Sequence, residues 1–156
     1  MIVAAELSIV LALLGTAVIY GTDVFCALVQ RPALAAVDDR ALVSVMGHVH
    51  RYGDRRLPAP GVIGIAGAAL GAVLAAGAGR WPVAIAGAMA AALLLIWLAL
   101  YLRISAPINR QLTAAATTGE TPMNARALQQ AWDRIINVRA IIQGAAVAAL
   151  GVALVV

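Results

Sequence analysis

LPAPGVIGIAGAALGAVLAAGAGRWPVAIAGAMAAALLLIWLALYL, residues 57–102, carries a single charge, Arg80. Leu57 to Gly79 is free of charge, and so is Trp81 to Leu102. About 20 consecutive apolar residues suffice to cross the hydrocarbon core of a bilayer as a helix. The stretch therefore predicts two membrane spans, turned back on each other at Gly79-Arg80-Trp81-Pro82. Pro58 and Pro60 fall in the first turn of the earlier span, where a missing N–H costs little. Gly64, Gly67 and Gly71 place small residues as helices in lipid require for close approach. That spacing fits ordinary packing inside one bundle better than a dimer motif.

Two further spans flank this hairpin. Leu7 to Val29 holds one charge, Asp23, and Ile135 to Val156 holds one, Arg139. The expectation is an all-α membrane four-helix bundle, a single transmembrane domain over residues 1–156 with spans at about 7–29, 57–79, 81–102 and 135–156. Composition agrees: 63% of residues are hydrophobic and 12% charged, whereas a soluble domain carries about 25% charged residues. Too little polar surface is present to wrap a water-soluble globule. The lone Cys26 excludes an intramolecular disulfide. The first segment has no basic n-region, carries Glu6 and has a long apolar run, all unlike a cleaved secretory signal.

Arginine placement predicts the orientation. Arg31, Arg40, Arg51, Arg55 and Arg56 lie between the first two spans; Arg103, Arg110, Arg126 and Arg134 lie between the last two. The hairpin turn has only Arg80. By the positive-inside rule both long loops face the cytoplasm of a bacterial inner membrane and both termini face outward. The net charge of +4 is then a topology signal, and no nucleic-acid partner is expected. Pro32 to Arg51 predicts a short amphipathic cytoplasmic helix, with Leu34, Val37, Leu42, Val45, Met46 and Val49 on one face. Thr117 to Pro122 predicts a turn, and Asn124 an N-cap for a helix running into the fourth span.

Ionisable groups at membrane depth are costly and point to function or pairing. Asp23 lies roughly 10 Å, and Arg139 roughly 7 Å, inside the same end of the bundle at 1.5 Å per residue. Their matched depths predict an ion pair; the alternative is that Arg139 snorkels and Asp23 is solvated. Tyr20 shares a helix face with Asp23. Trp97, Tyr101, Trp132 and Asn137 fall at the same end, as binding groups or as an interfacial aromatic belt. The densest polar run is Gly47-His48-Val49-His50-Arg51-Tyr52-Gly53-Asp54-Arg55-Arg56. His48 and His50 titrate near neutrality and suit a general base. As an H-x-H pair on a helix they diverge, and no cysteine or carboxylate stands at a standard ligand spacing. No cofactor is predicted, with haem or metal held by His48 or His50 as the alternative. The arginines suit topology and anionic-lipid contacts. There is no P-loop, nucleophile elbow or haem-attachment motif.

Gly47-His48-x-His50-x-Tyr52-x-Asp54-x-Arg56, then Pro107-Ile108-Asn109, then Trp132-Asp133-Arg134-x-x-Asn137-x-Arg139 resemble, in order and spacing, the anthrone oxygenase-like family of small four-helix membrane proteins. The resemblance implies oxidation of a polycyclic phenol to a quinone by O₂ without metal or flavin. It implies catalytic roles among His48, His50, Asp54, Arg56, Asn109 and Arg139; the substrate contacts expected beside them, from their place at the same end of the bundle, are Tyr20, Asp23, Tyr52, Trp97, Tyr101, Trp132 and Asn137. Ile136 is a departure, standing where many members of that family have a histidine. Expected partners are membrane lipids, a lipophilic small molecule, and a second copy or a larger membrane complex. The alternative to an oxidoreductase is a non-catalytic membrane subunit, chaperone or lipid-binding partner.

Overall fold

A computed structural model describes all residues, 1–156. The chain is all-α. Helix α1 (Ile2–Phe25) passes through a π-helical turn (Cys26–Gln30) into the short α2 (Arg31–Ala35). Helix α3 spans Asp39–Arg56 and α4 spans Pro58–Gly77. Helix α5 (Trp81–Leu100) passes through a second π-helical turn (Tyr101–Ser105) into α6 (Ala106–Thr118), and α7 is Ala125–Val155. Four stretches are long and apolar enough to cross a membrane: Ile2–Ala35, Pro58–Gly77, Trp81–Thr118 and Ala125–Val155. The 20 residues of α4 make about 30 Å of helix, one bilayer core. The other three stretches, of 34, 38 and 31 residues, are longer than one crossing uses.

The elements start and stop for identifiable reasons. The helix expected over Pro32 to Arg51 is instead two pieces. Pro32 opens α2 in its first turn, and Asp38 then begins a new helix, its carboxylate accepting from Ala41 N–H at 2.7 Å. Arg55 and Arg56 end α3, where cations complement the helix dipole. Gly79 and Gly119 hold positive φ of 73°, which glycine adopts without a Cβ penalty. Gly79 turns α4 into α5, and Gly119 ends α6 within the turn expected at 117–122. Helix α7 begins immediately after Asn124 and runs unbroken into the last span, as expected.

The chain forms two compact units. The first comprises Met1–Gly21, Pro58–Leu98 and Ile141–Val156. Its core is dominated by alanine, including Ala5, Ala12, Ala68, Ala90 and Ala146. Lipid offers no hydrophobic drive between helices, so small residues and close backbone approach hold them together. The glycines of α4 serve that approach to α1. A Cβ on Gly64 would lie 2.8 Å from Thr16 Oγ1, one on Gly67 2.8 Å from the Ser8 carbonyl, and one on Gly71 2.6 Å from Ile9 Cδ1. Outward faces carry exposed Val62, Leu70, Val73, Ile85 and Ile96, a surface suited to acyl chains.

The second unit comprises Thr22–Leu57 and Ala99–Ala140. Its core is built from larger side chains: Leu34, Leu42, Met46, Leu112, Trp132 and Ile136. Burying a side chain of this size stabilises by about 1.5–3 kcal/mol wherever it would otherwise meet water. Helix α3 packs along α6. Their contact closes over Gly47, where any Cβ would collide with Ala116 Cβ and the Leu112 carbonyl. Thr113 Oγ1 donates to the Gly47 carbonyl at 3.1 Å across the same contact. Leu42 and Met46 are buried there, whereas Val37, Val45 and Val49 are exposed. The apolar residues expected on one face are thus divided between two.

Candidate functional site

The second unit gathers most of the polar residues singled out from sequence. At its centre Arg139 Nη2 donates to Asp23 Oδ1 at 2.7 Å, with side chains only 6% and 3% exposed. Arg139 Nη1 donates to Ser105 Oγ at 2.8 Å. The guanidinium carbon lies 5.5 Å from the Tyr101 ring centroid and 5.6 Å from that of Trp132, within reach of cation–π attraction. The expected ion pair is therefore formed, and its cation is held by a hydroxyl and two aromatic rings as well. Tyr101 and Ser105 are the first and last residues of the second π-helical turn. Such turns interrupt the α-helical register and recur at functional sites.

A second network converges on Asp54. Tyr101 Oη donates to Asp54 Oδ1 at 2.7 Å, and Asn109 Nδ2 donates to the same oxygen at 2.8 Å. Asn109 Oδ1 in turn accepts from Trp132 Nε1 at 3.1 Å. Tyr101 and Trp132 belong to both networks, so the Arg139 and Asp54 groups are joined through the two rings.

His50 lies one helical turn before Asp54 on α3 and is 5% exposed. Its ring centroid is 5.5 Å from that of Trp132, tilted by 49°. Nε2 is buried without a hydrogen-bond partner. Burial pushes the imidazole down from 6.5 to about 4; the Asp54 carboxylate opposes that shift and the Arg139 cation adds to it. At neutral pH the ring is uncharged and can accept or donate one proton at a site closed to water. It is the one titratable ring there with a nitrogen uncommitted to a neighbour.

Other candidates lie elsewhere. His48 is exposed, its Nδ1 donating to the Ser44 carbonyl at 2.7 Å. Tyr52 and Asn137 are exposed, and Arg56 stacks 5.3 Å from the Tyr52 ring centroid. Tyr20 and Trp97 belong to the first unit, where Trp97 is buried. Ile136, at the departure from the family pattern, is fully buried in the apolar core of the second unit. No group of three or more His, Cys, Asp or Glu side chains is arranged to hold a metal ion.

Ser105, absent from the sequence expectations, and Arg126, read there only as a topology signal, have further roles here. Ser105 anchors Arg139, and its spacing of four from Tyr101 along one helix was the available signal. Arg126 donates to Asp39 Oδ1 at 2.6 and 2.9 Å, to the Leu34 carbonyl at 3.0 Å and to the Val37 carbonyl at 2.9 Å. It ties the α2–α3 turn to the start of α7. No family model, curated protein or solved structure matches this chain.

Proposed function

We propose that this multi-pass membrane protein is an oxidoreductase of the anthrone oxygenase type, acting on a flat lipophilic phenol or quinone-like aromatic at its second unit. The carrying observation is His50, a neutral buried imidazole with an uncommitted Nε2 beside Trp132. The oxidation it would serve is R₂CH₂ + O₂ → R₂C=O + H₂O. His50 takes a proton from the substrate carbon. The resulting enolate reduces O₂ and bonds it at that carbon as a peroxide, to which His50 returns the proton. O–O cleavage with loss of the second C–H proton then releases water and leaves the ketone. A histidine held near 4 is a weak base, so the step needs an anion stabilised where it forms. Arg139, pointed at the same tryptophan ring, supplies positive potential in a setting of low dielectric. Asp54 opposes the burial penalty on the imidazolium and steadies it once formed. Asn109 is engaged on both ends of its amide, which suits holding Asp54 and Trp132 in place.

Purified protein incubated with anthrone under O₂, followed by quinone absorbance, tests this reading. Turnover that disappears in His50→Ala is expected; a rate equal to the protein-free background overturns it. The orientation proposed with it places the arginine-rich loops in the cytoplasm. Reporter fusions at both termini that are active only outside the cytoplasm support that orientation.

A second reading is a non-catalytic subunit of a larger membrane complex. It is favoured by the closure of the Tyr101–Asp54–Asn109–Trp132 bonds on one another, as in a rigid scaffold. Recovery of a stoichiometric protein partner in native mass spectrometry, with no anthrone turnover, decides for it.

A further inference from the structure

Helix α3 has a buried face, carrying Leu42, Val43, Met46, Gly47 and His50, and an outward side that is itself amphipathic. On that side Val45, Val49 and Tyr52 are 50%, 42% and 51% exposed. Their spacing of four and then three residues aligns them as one stripe. Arg56 continues the stripe and stacks on Tyr52. The next row around the helix is Arg40, Ser44, His48, Arg51 and Arg55, every one exposed. No acidic side chain lies in either row; Asp54, the acid of the helix's second half, is bonded to Tyr101 and Asn109. An apolar stripe beside a cationic row is the pattern of a helix lying in the plane of a membrane interface. Chain connectivity adds a constraint: α3 ends at Arg56 and the spanning helix α4 begins at Pro58. The arginine-rich end of α3 is therefore one residue from a helix that enters the bilayer.

We propose that α3 is an interfacial helix that seats acidic phospholipid headgroups on Arg51, Arg55 and Arg56 while Val45, Val49 and Tyr52 enter the acyl boundary. The cations meet phosphate and the negative surface of an acidic leaflet. Valine and the tyrosine ring suit the adjoining apolar boundary, where an amphipathic ring leaves its hydroxyl wet. This proposal is independent of any catalytic role for His50, which faces the opposite side of the helix.

The test uses the full chain with Cys26→Ala and Val49→Cys, labelled with an environment-sensitive fluorophore and reconstituted in bilayers. The bilayers are phosphatidylcholine, alone or mixed with phosphatidylglycerol, with brominated chains on one lipid or the other as quencher. Brominated phosphatidylglycerol is expected to quench more strongly than brominated phosphatidylcholine at equal mole fraction. The preference should be about fivefold for each arginine fully engaged, and it should fall as salt is raised. Arg51→Gln/Arg55→Gln/Arg56→Gln should abolish the preference, and the matching triple lysine variant should keep it. The salt titration of the otherwise unaltered helix carries the test if the glutamine variant does not fold. Equal quenching by both lipids, unchanged by salt, overturns the headgroup assignment. A probe reached by neither brominated lipid overturns the interfacial position, with an aqueous quencher then distinguishing exposure to water from cover by a second copy or another protein.

Discussion

Breaking the Asp23–Arg139 pair is the sharpest test of how the second unit is built. Both charges are almost fully withdrawn from solvent, and the contact is 2.7 Å. With an effective dielectric near 20 and charge centres about 4 Å apart, the attraction is roughly 4 kcal/mol. Removing one partner also strands the other without its counter-charge, and buried pairs broken this way lose about 3–5 kcal/mol. Asp23→Ala and Arg139→Ala are each expected to destabilise by that amount. Asp23→Leu combined with Arg139→Met removes both charges and refills the volume. The buried Ser105 hydroxyl then loses its bond from Arg139, a cost of about 1–3 kcal/mol. The double variant should therefore be more stable than either single one, by at least about 1 kcal/mol. The charge swap Asp23→Arg with Arg139→Asp should recover less, because an arginine at 23 forfeits Ser105, Tyr101 and Trp132. Unfolding of the purified protein by a denaturing detergent, followed by far-ultraviolet circular dichroism and tryptophan fluorescence, gives the free energies. Single variants costing under about 1 kcal/mol, or a double variant less stable than either single one, would refute the reasoning.

Three further outcomes follow from the same geometry. His50 has a folded value of about 4 against 6.5 when unfolded, so only the unfolded chain takes up its proton between those values. Stability is expected to be unaffected by this group above about pH 6.5 and to decline as pH falls to about 4. The loss totals roughly 3 kcal/mol, read as the difference between the pH–stability curves of the wild type and His50→Phe; parallel curves would contradict it. Gly47→Leu should push α3 from α6 and cost several kcal/mol, since the obstacle includes the Leu112 backbone; detergent-unfolding midpoints measure it. Arg126→Ala should cost about 1.5–3 kcal/mol through loss of its charge-assisted bonds, and hydrogen exchange should rise first at residues 34–41, the turn that it ties down.

Different features were legible at different distances along the chain. The four apolar spans could be read directly, because crossing a bilayer is a requirement on local length and charge that each segment meets alone. The Asp23–Arg139 pair was legible too: a charge in an apolar span has few partners, and counting residues from the helix ends supplied the depth. The two faces of α3 were not. Val45 and Met46 are adjacent in sequence yet about 100° apart around the helix, and only the position of α6 decides which of them is buried. The two π-helical turns left no compositional mark, although one of them spaces Tyr101 and Ser105 around Arg139.

Sequence by itself therefore determined an all-α membrane protein, its four spans and the charged pair that its apolar segments must accommodate. The tertiary structure alone decided that Asp54, Tyr101, Asn109 and Trp132 bond to one another, and that His50 rather than His48 is buried beside them. The physical reason is separation. Tyr101 is 47 residues from Asp54, and Asn109 is 55 residues from it. No local periodicity registers contacts that exist only after α3 has closed on α6 over the single missing Cβ at Gly47.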